Sequence, residues 1–276
     1  MMIAGPDVAV CGPLARSAED LALAMGVLVG PEPLDRRGWQ LALPEPAKSS
    51  LRDFKVAVWP TDDLAPVAGE VADRVARVAE TLAKLGATVS DTARPRIEKK
   101  LGHVTYLNLL NSLTSAGLPP DAYARMQALA ARTDPADFSD DAVLTRAAVL
   151  SHREWLGAHN YRESLRYAWR EFFDAWDVLV CPQSAGTAFA HDHSEIEKRQ
   201  IEVDGREQPY FQQVFWSGLV SVAQLPSTVF PTGPSRAGLP IGLQAVGAEY
   251  DDFLTIEFAR LLAREIGGFV PPPAYA

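Results

Sequence analysis

The 276-residue sequence predicts an α/β fold, and three local patterns carry that prediction. A strand, an amphipathic helix and a second strand follow one another between Phe54 and Ser90. An apolar strand from Asp177 to Pro182 ends in a loop of small polar residues, and two neighbouring strands near the carboxyl end precede a last helix. Composition agrees, with 47% hydrophobic and 22% charged residues, the profile of a soluble globular chain that can bury a sizeable core. The length allows one large domain or two ordinary ones.

Taken in order, Ser17 opens a helix with Asp20 in the place of a capping-box acid, and Gly30-Pro31 stops it. Pro31 to Ser50 has no periodicity and reads as a surface connection. Phe54 to Trp59 is a short β-rich strand. Val67, Val71, Val75, Val78, Leu82 and Leu85 then form one helical stripe, which Gly86 closes before a strand at Ala87 to Ser90. Such a crossover is parallel and right-handed by default. Arg96 to about Trp176 is mainly helical, broken at Leu118-Pro119-Pro120 and Asp134-Pro135, with Tyr161, Leu165, Ala168, Phe172 and Trp176 as its final core stripe.

Asp177 to Pro182 reads as a fully buried strand, and Gln183 to Thr187 after it is a candidate ligand loop, because α/β proteins place ligands past the carboxyl ends of their strands. Asp204-Gly205 marks a type I′ hairpin between Ile201-Glu202-Val203 and Arg206-Glu207. About Pro209 to Ala223 is a helix apolar on most sides, so its neighbours must bury it. Pro226 ends it. Ser227 to Phe230 and Gly238 to Gly247 are the two neighbouring strands, the second with glycines where another backbone must come close. Asp251 to Ile266 is the last helix, with acids early and Arg260 and Arg264 late.

A net charge of −9 makes the average surface repel phosphate, which speaks against a nucleic-acid or anionic-membrane partner. Cys11 and Cys181 do not suggest a disulfide framework. No basic region followed by a long apolar stretch opens the chain, so the cytoplasm is the default location. The longest uncharged run, Gln208 to Ser235, holds four prolines and four glutamines and reads as buried helix and strand rather than a membrane span.

Metal and nucleophile signals are thin. His191-Asp192-His193 could offer ligands, but a further one would have to come from elsewhere. His152 and His159, two helical turns apart, read as ordinary surface residues of a helix. Lys48-Ser49-Ser50 places a base beside serines, yet in an unpatterned stretch without glycines to form an oxyanion hole. No HExxH, paired CxxC, GxxxxGK[ST], GxGxxG or GxSxG motif occurs.

Several strings nevertheless occur together in a recognisable order. They are Gly12-Pro13-Leu14-Ala15-Arg16-Ser17-Ala18-Glu19-Asp20-Leu21, Phe54 to Pro60 with its β-α-β unit, Asp177 to Pro182, Pro231-Thr232-Gly233, and Gly238-Leu239-Pro240-Ile241-Gly242-Leu243-Gln244. In this the chain resembles the amidase signature family over nearly its whole length. The resemblance implies an α/β/α layered fold around a mixed sheet, incomplete in this chain, and a single domain over 1–276 that is the carboxyl-terminal part of an amidase. It implies hydrolysis of carboxylic amides, or transfer of their ammonia, through a Ser-cis-Ser-Lys triad without metal or organic cofactor.

In the family, the catalytic lysine and the glycine- and serine-rich signature precede the block at Gly12. None of Lys48, Lys55, Lys84, Lys99, Lys100 and Lys198 matches that lysine's context, so no catalytic residue is carried over and the chain alone is expected to be inactive. The resemblance leaves part of a substrate pocket, for which Gln183, Ser184, Thr187, Phe189, Trp216, Gln224 and Leu225 are the candidates. Plain core is the alternative for Trp216 and Leu225, and the Phe189/Trp216 pair would suit an aryl or alkyl acyl group.

Three hypotheses follow. The chain is an amidase's carboxyl-terminal half and takes a small amide only when the amino-terminal half is supplied. Alternatively it is a non-catalytic binding module or a subunit complementing a separate amino-terminal half. Least favoured is a metal-dependent hydrolase using His191 and His193. Under the first two, an apolar sheet edge is open to solvent, favouring self-association or a complementing partner.

Overall fold

A computed structural model describes residues 7–195 and 198–272. Strands β1 (Lys55–Val58), β2 (Thr88–Ser90) and β3 (Val178–Pro182) pair in parallel, with β1 between the other two. Two further strands, β4 (Gln200–Val203) and β5 (Arg206–Pro209), form a separate hairpin. Strand β6 (Ser227–Pro234) pairs antiparallel with β7 (Pro240–Val246), and β7 runs antiparallel to β3, giving a mixed sheet of order β2-β1-β3-β7-β6.

Helix α1 (Ala18–Leu28) starts as its cap residue predicts, Ser17 Oγ accepting from Asp20 N at 3.1 Å. It packs on α8 (Asp252–Ile266), yet none of its residues is buried, and Leu23, Val27 and Leu28 stand open. Helix α2 (Gly69–Lys84) buries Val71, Val75, Val78 and Leu82 against the sheet, and Gly86 turns the chain at φ +91°. The 31–50 connection has no regular helix or strand, as expected. Lys48 is not a free base there: it ion-pairs with Asp177, which also accepts Lys55 N at 2.6 Å, tying the connection to the amino ends of β1 and β3.

The helical middle comprises α3 (Lys99–Ser115), α4 (Pro120–Ala130), α5 (Asp140–Ala147) and α6 (His152–Phe173). Both proline breaks occur, together with a further break that the sequence reading missed, at 148–151. There Ser151 caps α6 in a full capping box with Glu154. The α6 stripe is also rotated from the expected one. Leu165 and Phe172 are buried, but so are Trp169 and Arg162, whereas Tyr161 and Ala168 are half-buried and Trp176 lies past the helix end. His159 departs from the surface reading too, because its Nδ1 meets Arg162 Nη2 and its ring stacks on Trp155.

The apolar segment after β5 begins as a 3₁₀ turn at Tyr210–Gln213 and continues as α7 (Val214–Ser221), buried on most sides as predicted. Its Gly218 lies under Tyr106 of α3; an added Cβ would sit 2.5 Å from the ring, so only glycine lets the two helices come this close. At Gly242 the near neighbours are the Val229 side chain and the Phe230 carbonyl, and at Gly247 the Thr255 methyl. The close approach expected along β7 is therefore mostly to side chains. One core wraps the sheet, and a second joins α3, α5 and α6 to Val8 and Val222. No helix among the described residues is long and apolar enough to cross a membrane.

Candidate functional site

Every residue of β3 is buried, so the chain first meets solvent where the strand ends, at Gln183. From β1 the chain crosses through α2 to β2 on one side, while β3 lies on β1's other side, so the loops leaving β1 and β3 meet at a topological switch point. That is where open α/β sheets hold ligands. The β3 loop is braced from two directions: Ser184 Oγ donates to Gly186 O at 2.8 Å, and Ala185 O accepts Ala68 N at 2.7 Å, ahead of α2. The β4–β5 hairpin closes over the same place, with Asp204 accepting Gly69 N at 2.7 Å and Gln208 Nε2 donating to Pro66 O at 3.3 Å. Its turn has positive φ at both Asp204 and Gly205, as the I′ signal requires.

The back of the site is aromatic. Trp216 is fully buried, sits edge-on to Trp59 at 5.9 Å and to Phe215 at 5.3 Å, and donates Nε1–H to Ala65 O. It belongs to the wall behind the loops rather than to any open surface, and Leu225 is partly buried against the main core. Gln183, Ser184 and Thr187 are half-buried around the loop. Phe189 is exposed, edge-on to Tyr210 at 6.3 Å. It does not pair with Trp216.

Gln224 is exposed and left-handed, φ +56°, where the chain leaves α7. A non-glycine residue loses about 1–2 kcal/mol in that conformation, against about 0.5–1 kcal/mol for the extra freedom glycine has when unfolded. Gln224→Gly should therefore stabilise by about 0.5–1 kcal/mol in urea titration; a loss of stability would show that its amide makes an essential contact.

Gln244 is the residue that sequence reasoning passed over as a site element. Buried in the middle of β7, it donates Nε2–H to Pro182 O at 2.8 Å and to Trp216 O at 3.1 Å, and its Oε1 accepts from Ser227 Oγ at 2.9 Å. One amide thus locks β3's exit, α7 and the start of β6. The available signal was a polar residue within Ile241-Gly242-Leu243-Gln244-Ala245-Val246, where only a fully bonded side chain is tolerated. Gln244→Leu leaves buried carbonyls without this donor at about 1–3 kcal/mol each, so an overall loss of about 2–4 kcal/mol is expected from chemical denaturation. Equal stability of the variant would show that the carbonyls are satisfied otherwise.

Charge enters from Arg94 and Lys99, which approach the Trp59 ring at 4.9 and 5.9 Å from its centroid, with Lys99 paired to buried Asp62 at 2.6 Å. Burial pushes the Arg94 pKa down, and Asp62 and Asp91 act the other way. Burial pushes the nearby Cys181 thiol up to about 12, which makes it an inert core residue rather than a nucleophile. His191 and His193 are exposed and stacked 6.1 Å apart, and Asp192 accepts from Ser194 N. Among the described residues no three His, Cys, Asp or Glu side chains come together in a way that could hold a metal ion. Two cavities lie away from the β3 loop, one of about 480 Å³ between α1, α8 and the β6–β7 pair and one of about 370 Å³ between α3, α5 and α6.

A mixed sheet of parallel and antiparallel strands flanked by helices, with a braced loop pair at its switch point, defines the class: an α/β protein. The family model described as Amidase matches residues 4–256, and the chain belongs to that family. It is 29% identical over 259 residues to a glutamyl-tRNA(Gln) amidotransferase subunit from Acaryochloris marina, covering 86% of this chain and 51% of the relative. It is 25% identical to an indoleacetamide hydrolase of Bradyrhizobium diazoefficiens, covering 93% of this chain and 46% of the relative. The fold matches a bacterial aryl acylamidase of the amidase signature family at a TM-score of 0.66 and 21% identity, covering 93% of this chain and 53% of that one. The chain spans about half the length of the curated relatives it matches.

Proposed function

We propose that this chain forms the carboxyl-terminal part of a carboxylic-amide site, supplying the wall against which an amide substrate is held. The observation that carries this is Gln244. It sits in the family-matching Gly-Leu-Pro-Ile-Gly-Leu-Gln block and bonds to both Pro182 and Trp216, joining the most specific sequence match to the start of the ligand loop. On this reading Gln183, Ser184, Thr187, Phe189 and Gln224 line the site, with Trp216 and Leu225 behind them. Nucleophile and base come from the half of the family fold that these residues do not match. The test is an amide-hydrolysis panel run on the chain alone and on the chain mixed with the amino-terminal half of a relative. Activity in the mixture only supports the reading; activity in neither defeats it.

A second reading, a non-catalytic subunit of a larger assembly, is favoured by the exposed apolar side chains of α1 and by β6, which among the described residues pairs on one side only. One matched relative is by its name a subunit, of glutamyl-tRNA(Gln) amidotransferase. Size-exclusion chromatography separates the readings, since this one requires a stable complex that forms without restoring turnover.

A further inference from the structure

We propose that Arg94 and Lys99, set over the indole of Trp59 at the carboxyl end of β1, form a subsite for a carboxylate, so that the amide held by this chain carries an acidic group. The proposal rests on the amide-site reading above and narrows it to a substrate class.

In a chain of net charge −9, two cations converge on one ring. Arg94 uses Nη1 to donate to Val58 O at 3.0 Å and Ala93 O at 2.7 Å, which fixes the guanidinium against the strand exit. Its Nε and Nη2 make no hydrogen bond within the described protein, although the side chain is half-buried and loses hydration there. A planar fork with free donors matches a carboxylate. Lys99 is held by Asp62, whose other oxygen accepts Leu64 N at 3.0 Å. Asp62 is taken up by Lys99 in a direct ion pair, whereas Asp91 acts on Arg94 only at longer range and makes no ion pair with it among the described residues, so the guanidinium keeps an unpaired face toward a monoanion.

The position fits a substrate group. Trp59 N donates to Val180 O at 2.9 Å, and the Trp59 ring leans on Trp216, whose carbonyl is bonded by the same Gln244 amide that holds Pro182. The Arg94 charge is felt at Cys181, the residue before Pro182. The cations therefore lie at the switch point, beside the exit of β3 that opens into Gln183 and Ser184. Nη1 braces the strand exit through Val58 O and Ala93 O, and Nε and Nη2 are not needed for that brace. Here the half-buried side chain leaves them open.

The test is calorimetric titration of the whole 276-residue protein at low salt with succinamate, an amide bearing a carboxylate, with butyramide, its neutral counterpart, and with butyrate. Succinamate should bind at least about tenfold more tightly than butyramide, the scale of one charge-assisted hydrogen bond, and should weaken as salt is added. Arg94→Gln and Lys99→Gln should each remove most of that preference, and Arg94→Lys should keep part of it. Thermal melts check folding, and Lys99→Gln carries the test if loss of the Arg94 bonds unfolds the first variant. Equal binding of succinamate and butyramide, or undiminished preference in both Gln variants, overturns the subsite while leaving the amide reading standing. Arg94-dependent butyrate binding that the amide does nothing to improve supports the subsite and counts against the amide reading. Absence of binding by all three compounds overturns the subsite.

Discussion

Assayed alone, the 276 residues should, on the proposed reading that nucleophile and base come from the other half of the fold, hydrolyse simple aliphatic and aryl amides about 10⁶-fold more slowly than a family enzyme, the loss that follows removal of a serine nucleophile or its base. The expectation has a structural side. Serine activation by lysine needs an amine within hydrogen-bond reach of a hydroxyl, and among the described residues no lysine donates to a serine. Lys48 is committed to Asp177, Lys99 to Asp62 and Lys198 to Glu195, while Lys100 lies over the Phe138 ring. The serine hydroxyl within the candidate ligand loop, that of Ser184, is turned inward to Gly186 O. Steady-state hydrolysis across an amide panel measures the prediction. Turnover at a family-like rate, or an acyl group trapped on a serine of this chain and seen by mass spectrometry, would falsify it.

The elements that sequence reading placed well are those whose signal is local. The α2 stripe, the Asp204-Gly205 turn and the Ser17 cap each depend on residues a few positions apart; the turn and the cap are found as expected, and the stripe holds from Val71 to Leu82, with Val67 ahead of the helix and Leu85 exposed at its end. The β3 strand was legible because five buried residues in a row leave no other reading. What escaped depends on partners far away in the chain. Gln244 looks like an ordinary strand residue until Pro182, 62 positions away, supplies its acceptor. Arg94 follows a short strand in an irregular loop, and only folding brings it over Trp59. The ring partners of Phe189 and Trp216 were hidden for the same reason: folding sets the indole edge-on to Trp59 and the phenyl ring edge-on to Tyr210, 21 positions away. On α6, an apolar stripe counted by type put Ala168 in the core and overlooked Arg162, because an ion pair can bury a charge that periodicity assigns to solvent.

That ion pair carries the largest stability effect expected of a single charge in this chain. Arg162 is 4% exposed and reaches Asp7 with Nη1 and His159 with Nη2, joining the entering chain to α6 beside a core that includes Val8. Arg162→Met removes the charge and leaves the Asp7 carboxylate facing the core. Breaking a buried pair in this way costs about 3–5 kcal/mol. The Asp7 side chain keeps 22% of its exposure and can turn toward water, which places the loss near about 3 kcal/mol. The double variant Asp7→Asn/Arg162→Met should recover much of it, because an apolar replacement of both partners removes the unpaired charge along with the attraction. The network makes full recovery a stringent requirement: Arg162 Nε also lies 3.8 Å from Glu163, which in turn pairs with Arg166, and Arg166 with Glu249 beyond β7. Equilibrium urea unfolding of wild type and both variants at neutral pH measures the cycle. A single variant within about 0.5 kcal/mol of wild type, the range of an ordinary surface substitution, would mean that the Asp7 contact does not hold the entering chain in place.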